Sequence, residues 1–223
     1  MFQISCLQQI HSHDHVHGDI KLQNILMGLG DQSLTLFIVD FGLAKRYRHP
    51  ATGNHIPFCQ VHRMRGTSAF SSIHNHLGAE LGHCDDLKSL AYMLIYLVCS
   101  SLPWLSEDKW QKVSSILEMK QKTAVEVLCR YVPCELGTFL TYTCTLLFSE
   151  QPDYSYVRSL FMSKPVLPNW ELTKGESAIA SGCQQHARAK KLRYIVWWWW
   201  SHEQKPTVFG NGFRHRLASV STS

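Results

Sequence analysis

A chain of 223 residues, 45% of them apolar and 17% charged, is long enough to bury one substantial core and too apolar for the disordered class. The net charge of +5 sits at one end. Residues 1–170 hold fourteen Lys plus Arg against fourteen Asp plus Glu, whereas residues 171–223 hold eight against three. These tail cations are few and no recognised nucleic-acid module surrounds them, so no nucleic-acid partner is expected. There is no secretory signal, and the longest apolar run, from Leu90 to Cys99, is half the length of a spanning helix. The expected location is therefore cytoplasmic, nuclear or both, where eight cysteines without a paired framework read as reduced, mostly buried thiols.

In chain order, Met1 to Ile10 is an apolar-periodic segment that predicts a helix. A polar loop follows, His17-Gly18-Asp19-Ile20-Lys21-Leu22-Gln23-Asn24. Then Ile25-Leu26-Met27 and Leu34-Thr35-Leu36-Phe37-Ile38-Val39 read as two short strands around a turn from Gly28 to Ser33. Asp40-Phe41-Gly42 closes this hairpin, sixteen residues after Asn24, and the hairpin brings the second aspartate beside the asparagine. The plainer reading makes Asp19 and Asp40 turn residues and Asn24 a cap.

Beyond a long irregular stretch, Leu90 to Cys99 predicts a buried central helix preceded by Asp85-Asp86. Helices are also expected over Gln111–Met119, Ala124–Arg130 and Glu135–Leu147. The last of these has Leu136, Phe139, Leu140, Thr143 and Leu147 near one face. A final helix ends at Leu160-Phe161, ahead of Pro165 and Pro168. No internal repeat is present. His11, His13, His15 and His17 alternate, and Cys59-x-x-His62 follows, which raises a structural zinc site as an alternative; a closed site of that kind normally needs four converging protein ligands. The tail carries Ala187-Arg188-Ala189-Lys190-Lys191-Leu192-Arg193 and then Trp197 to Trp200. It is either a basic, aromatic membrane-surface anchor or an unstructured extension, and membrane contact is not expected.

The polar loop and Asp40-Phe41-Gly42, taken together, resemble the phosphoryl-transfer site of protein kinases. The resemblance implies that Asp19 accepts or orients the proton of a substrate hydroxyl and that Lys21 offsets charge near the transferred phosphate, as in serine/threonine kinases. It implies Asn24 and Asp40 as magnesium ligands, ATP as cofactor and Leu26 as a residue against the nucleotide. Further along stand Leu43-Ala44-Lys45-Arg46-Tyr47, His55-Ile56-Pro57, Gly66-Thr67, Ser72-Ile73, His76-Leu77-Gly78, Asp85-Asp86-Leu87-Lys88-Ser89-Leu90, Ser101-Leu102-Pro103-Trp104, Val125-Glu126-Val127-Leu128-Cys129 and Pro152-Asp153-Tyr154-Ser155-Tyr156. With these the chain resembles the casein kinase I family, from Met1 to about Met162.

That resemblance implies a mainly α fold: a protein-kinase C-terminal (large) lobe with a small β-hairpin near the catalytic loop over residues 1–170, then a separate tail over 171–223. The activation segment would run from Asp40 to about His74, and Asp86 would be a buried carboxylate bracing the catalytic loop. Protein substrates with acidic or primed serine and threonine sites are the implied partners.

Departures weaken part of this. Gly18 stands where the family has a loop arginine, and Ala69 where it has the arginine that reads a priming phosphate. Lys112 is left to match a second basic residue of that anion site. No glycine-rich loop, strand lysine or helix glutamate of an N-terminal lobe is found, so the chain is expected to begin inside the large lobe and to be inactive alone. A non-catalytic, pseudokinase-like binding module and an unstable gene-model fragment are the alternatives. An uncovered lobe should expose apolar surface around Ile4, Leu7, Ile10, Leu26 and Val39, and should be poorly soluble.

Overall fold

The computed structural model describes residues 2–33, 35–60, 63–105 and 112–162. The readings made of the tail, of Leu34, of His62 and of Gln111 lie outside these residues. The first helix, α1 (Phe2–Ser12), turns Ile4, Leu7 and Ile10 to one side, as a 3.6-residue period requires, and buries each to 2% exposure or less. It packs against the long helix α3 (His83–Cys99), the last helix α7 (Tyr154–Leu160) and strand β3 (Leu36–Ile38). The expectation that Ile4, Leu7 and Ile10 lie open is therefore wrong. These three elements already cover that face, and Val39 is half-buried beside it.

Strand β1 (His15–Val16) pairs antiparallel with β4 (Lys45–Arg46), while β2 (Ile25–Met27) pairs with β3 in the register Ile25↔Ile38, Leu26↔Phe37 and Met27↔Leu36. Leu36 and Ile38 point into the core, and the period of two leaves Phe37 on the outer face, 38% exposed, opposite Leu26 at 50%. Together with Met27, Leu29 and Leu43, these side chains are the apolar surface that this end of the molecule does expose.

Helix α3 is buried around most of its circumference, as its unbroken apolar run predicted. Around it stand α2 (Ile73–His76), α4 (Val113–Lys122), α5 (Val125–Leu128) and α6 (Cys134–Thr145), with α6 packed along α3. On α6 the stripe Leu136, Phe139, Leu140 and Thr143 is buried as expected, but Leu147 is 71% exposed. The helix stops at Thr145, Leu146 turns to an extended ψ of 130°, and the helical phase that would have carried Leu147 inward is lost.

The alternating histidines do not share a strand face. His11 belongs to α1, Asp14 at φ +64° turns the chain out of the helix, and only His15 lies in β1. The cysteines also differ from expectation. Among the described residues Cys84 alone is buried, and Cys134 and Cys144 are exposed, because they ride the outward side of α6. No helix among the described residues is long and apolar enough to cross a membrane.

The burial contrast gives a direct check by chemical denaturation. Ile4→Ala or Leu7→Ala should each cost about 2–5 kcal/mol through lost transfer energy and cavity formation. Leu29→Ala, at a side chain 89% exposed, should stay within about 0.5 kcal/mol of the parent. Equal effects at Leu7 and Leu29 would mean that α1 is not part of the core.

Candidate active site

The site is built on a loop that a buried carboxylate holds in place. Asp86, in the first turn of α3, accepts from the His17 N–H at 2.6 Å and from the Gly18 N–H at 2.9 Å, and its Oδ2 lies 2.9 Å from His11 Nε2. Burial alone would raise the pKa of Asp86, but the His11 ring and the charges and N–H of its neighbours outweigh it and hold the group below its usual value. The carboxylate stays ionised with both oxygens satisfied. Its predicted bracing role is thus visible in the geometry.

His17 carries the constraint onward. Its Nδ1 accepts from the Asp19 N–H at 3.3 Å, which fixes the tautomer and leaves Nε2–H to donate to the Val39 carbonyl at 3.1 Å. One buried imidazole therefore ties the residue before Asp40 to the loop bearing Asp19. The sequence pattern puts His17 in the loop but carries no sign of this bridge.

The Asp19 side chain is 7% exposed. Oδ1 accepts from the Thr67 N–H at 2.9 Å, and Oδ2 accepts from Lys21 Nζ at 2.5 Å. Burial pushes its pKa up, and the bonds from Lys21 and Thr67 push it down by more, so the carboxylate sits below its ordinary range and remains an acceptor at neutral pH. Gly66, at φ +72°, explains how Thr67 comes so near. A Cβ on Gly66 would lie 2.7 Å from Asp19 Oδ1 and 3.2 Å from the Gly18 carbonyl. The sequence marked Gly66-Thr67 only as a motif; the close approach needs a residue with no side chain in a left-handed conformation.

Asn24 ends a single 3₁₀ turn and is buried. Its Nδ2 donates to the Asp19 carbonyl at 2.9 Å, and its own carbonyl accepts from the Val39 N–H at 2.9 Å. Asp40 follows at φ +65°, exposed, with Oδ1 accepting from the Gly42 N–H at 3.3 Å. Asp19, Lys21 and Asn24 are thus in mutual contact, and the hairpin register holds Asp40 one residue beyond the strand pair that Asn24 opens. Leu26 stands apart on the outer face of β2.

The donor set suits magnesium. The Asn24 amide spends its N–H on Asp19, which leaves Oδ1, and Asp40 offers a solvent-facing carboxylate; both are the hard oxygens that this ion takes.

A family model for the protein kinase domain matches residues 3–146. The chain belongs to the protein kinase family. The match covers α1 through α6 and so spans both the loop that carries Asp19 and Asn24 and the turn that carries Asp40.

One further residue of this kinase domain was not legible beforehand. Lys120 of α4 is 3% exposed, lies one turn beyond the buried Ile116, and extends under the segment after Thr67. Its Nζ donates to the carbonyls of Ser68 at 2.8 Å and Ser71 at 2.5 Å, lies 3.2 Å from His76 Nε2, and sits 5.2 Å from the ring centres of both Tyr92 and Trp104. No carboxylate pairs with it among the described residues. Lys120 thus clamps the stretch that delivers Thr67 to Asp19. The only signal in the sequence was a lysine four residues after an apolar one on the same helical face.

Burial lowers the pKa of Lys120 from 10.5 to about 7. Between those values an unfolded chain binds a proton that the folded chain has released, so stability gains as pH rises. Denaturation of the parent and of Lys120→Met should show the parent's advantage growing from pH 7 to pH 10. A constant difference would mean that the carbonyls and ring faces keep the proton bound over that whole range.

Proposed function

We propose that this chain carries the large lobe of a casein kinase I-type serine/threonine protein kinase, whose reaction is ATP-dependent phosphoryl transfer to serine and threonine hydroxyls of proteins. The observation that carries this reading is the Asp19 carboxylate, ionised and fixed between the Thr67 N–H and Lys21 in a loop anchored by Asp86. Asp19 accepts the hydrogen bond of the incoming hydroxyl and orients its oxygen. Lys21, already against Asp19, offsets negative charge where the phosphoryl group arrives. A lysine at that place favours an aliphatic hydroxyl over a phenol.

Asn24 and Asp40 would hold the magnesium that accompanies ATP, and Leu26 on the exposed face of the hairpin would meet the nucleotide. When bound, the metal neutralises charge on the phosphates. The protein's own part is positioning: His17 couples the Asp40 turn to the Asp19 loop, so the two parts of the site keep one geometry.

Residues 1–170 are proposed as the kinase unit, working in the cytoplasm or nucleus, with 171–223 as a separate tail. Acidic serine and threonine sites are the proposed substrates. A preference for primed sites should be weak. Ala69 offers no cation, and Gly18, at φ +78° with the Leu43 carbonyl 3.1 Å from where a Cβ would stand, is shaped for glycine rather than arginine. Lys112 alone would hold a phosphate without a bidentate fork.

The test is phosphate transfer from Mg-ATP to an acidic serine peptide. The 223 residues alone should give little, since they offer one wall of the nucleotide cleft. A fusion to a casein kinase I N-terminal lobe should give a clear rate. Asp19→Asn in that fusion should lower the rate by roughly 10²-fold or more, and Gly66→Ala should lower it by crowding Asp19. A fusion whose rate survives Asp19→Asn would sink the assignment.

A further inference from the structure

We infer that His74, Cys84 and Asp85 form a zinc-binding site that joins α2 to the first turn of α3. The three side chains bring an imidazole nitrogen, a sulfur and a carboxylate oxygen within 4.8 Å of one another. His74 Nδ1 is 3.2 Å from Asp85 Oδ1, and Cys84 Sγ is 3.7 Å from Asp85 Oδ2. Tetrahedral zinc, at about 2.0–2.3 Å from each donor, spaces its ligand atoms about 3.3–3.8 Å apart. The His74 Nδ1–Asp85 Oδ1 distance is already close to that spacing, while the Cys84 Sγ lies at it from the other oxygen of the same carboxylate, Oδ2. The sulfur reaches an ion held between Oδ1 and His74 through small rotations of Cys84 and of His74, whose side chain is 43% exposed and has room to move.

The donor types select the ion. Magnesium and calcium take oxygen and avoid sulfur, whereas a mixed nitrogen, sulfur and oxygen set suits zinc. The carboxylate is held in advance, because Asp85 Oδ2 accepts from the Gly82 N–H at 2.8 Å and so leaves Oδ1 turned toward His74. Water would complete the fourth position on the exposed side of His74. Cys84 is 1% exposed, and burial together with Asp85 raises its thiol to about 12, so without metal it keeps its proton. On binding, the S–H bond breaks, the Zn–S bond forms and the proton passes to solvent.

This site is separate from the polar residues assigned to phosphoryl transfer, yet mechanically near them. The residue after His74 is Asn75, which grips the Arg65 backbone from both sides, accepting from its N–H at 3.1 Å and donating to its carbonyl at 2.8 Å. Two residues further on is Thr67, the partner of Asp19. A metal that ties α2 to α3 would stiffen the segment that delivers Thr67.

The full 223-residue chain can be titrated with Co²⁺, whose thiolate complexes show a near-ultraviolet charge-transfer band that histidine and carboxylate sites lack. We expect a band saturating at one equivalent, displaced by Zn²⁺, with slower hydrogen exchange over residues 72–76 in the zinc form. Cys84→Ser should abolish the band, and His74→Ala, at a half-exposed side chain that the fold does not need, should weaken binding roughly tenfold or more. Cys59→Ser and Cys134→Ser should leave it intact. Absence of the band in the folded parent, its persistence in Cys84→Ser, or unchanged affinity in His74→Ala would each overturn the site.

Discussion

The Asp86 carboxylate is the constraint on which the remaining geometry rests. A buried ionised group must have its lone pairs filled, and Asp86 fills them with two successive backbone N–H groups and an imidazole. Two adjacent N–H groups aimed at one carboxylate fix the chain direction entering the loop that carries Asp19. His11 extends the same demand outward, since its Nδ1 meets the Tyr154 hydroxyl and its carbonyl accepts from Tyr47. The first helix, the central helix, the last helix and the segment after β4 thus converge on one charge. Removing the charge would release four elements together, whereas removing any one partner would leave the charge unsatisfied.

From that anchor the site is a relay of short backbone contacts. His17 spans from Asp19 to Val39, Asn24 from Asp19 to Val39, and Asp19 itself reaches Thr67. Three residues along this relay, Gly18, Asp40 and Gly66, have positive φ. Backbone of this kind persists only where surrounding bonds over-determine it, and here each lies beside a fixed hydrogen bond. At Gly18 and Gly66 the absence of a side chain meets that requirement. At Asp40 the carboxylate bonds its own loop instead.

Helices α1 and α6 could be read in advance from their apolar periods, α3 from its unbroken apolar run, and the β2–β3 hairpin from two short apolar runs around a turn. The polar triad Asp19, Lys21 and Asn24 was legible for a different reason: the three lie within six residues, so local geometry alone brings them together. Legibility failed where a residue's environment comes from distant chain. Ile4, Leu7 and Ile10 looked uncovered because their cover comes from α7 and β3. Leu147 looked buried because nothing in its neighbourhood announces the end of α6 at Thr145. Lys120 and the His74, Cys84, Asp85 cluster depend on contacts across many residues, and a lysine or cysteine on an apolar face carries no local mark of what it will meet.

The cage around Lys120 also sets how this protein meets acylating chemistry. An amine held near neutrality is partly unprotonated at cellular pH and would be a strong nucleophile in the open. At 3% exposure it meets no reagent while Ser68 and Ser71 stay seated on it. Lys112, exposed at the start of the same helix, has no such cover. Acylation at Lys120 therefore requires the segment above it to lift, and the bulky, neutral amide so formed could not return beneath two carbonyls and two ring faces. Each such event would mark an opening of the segment that holds Thr67 against Asp19, and would leave it open.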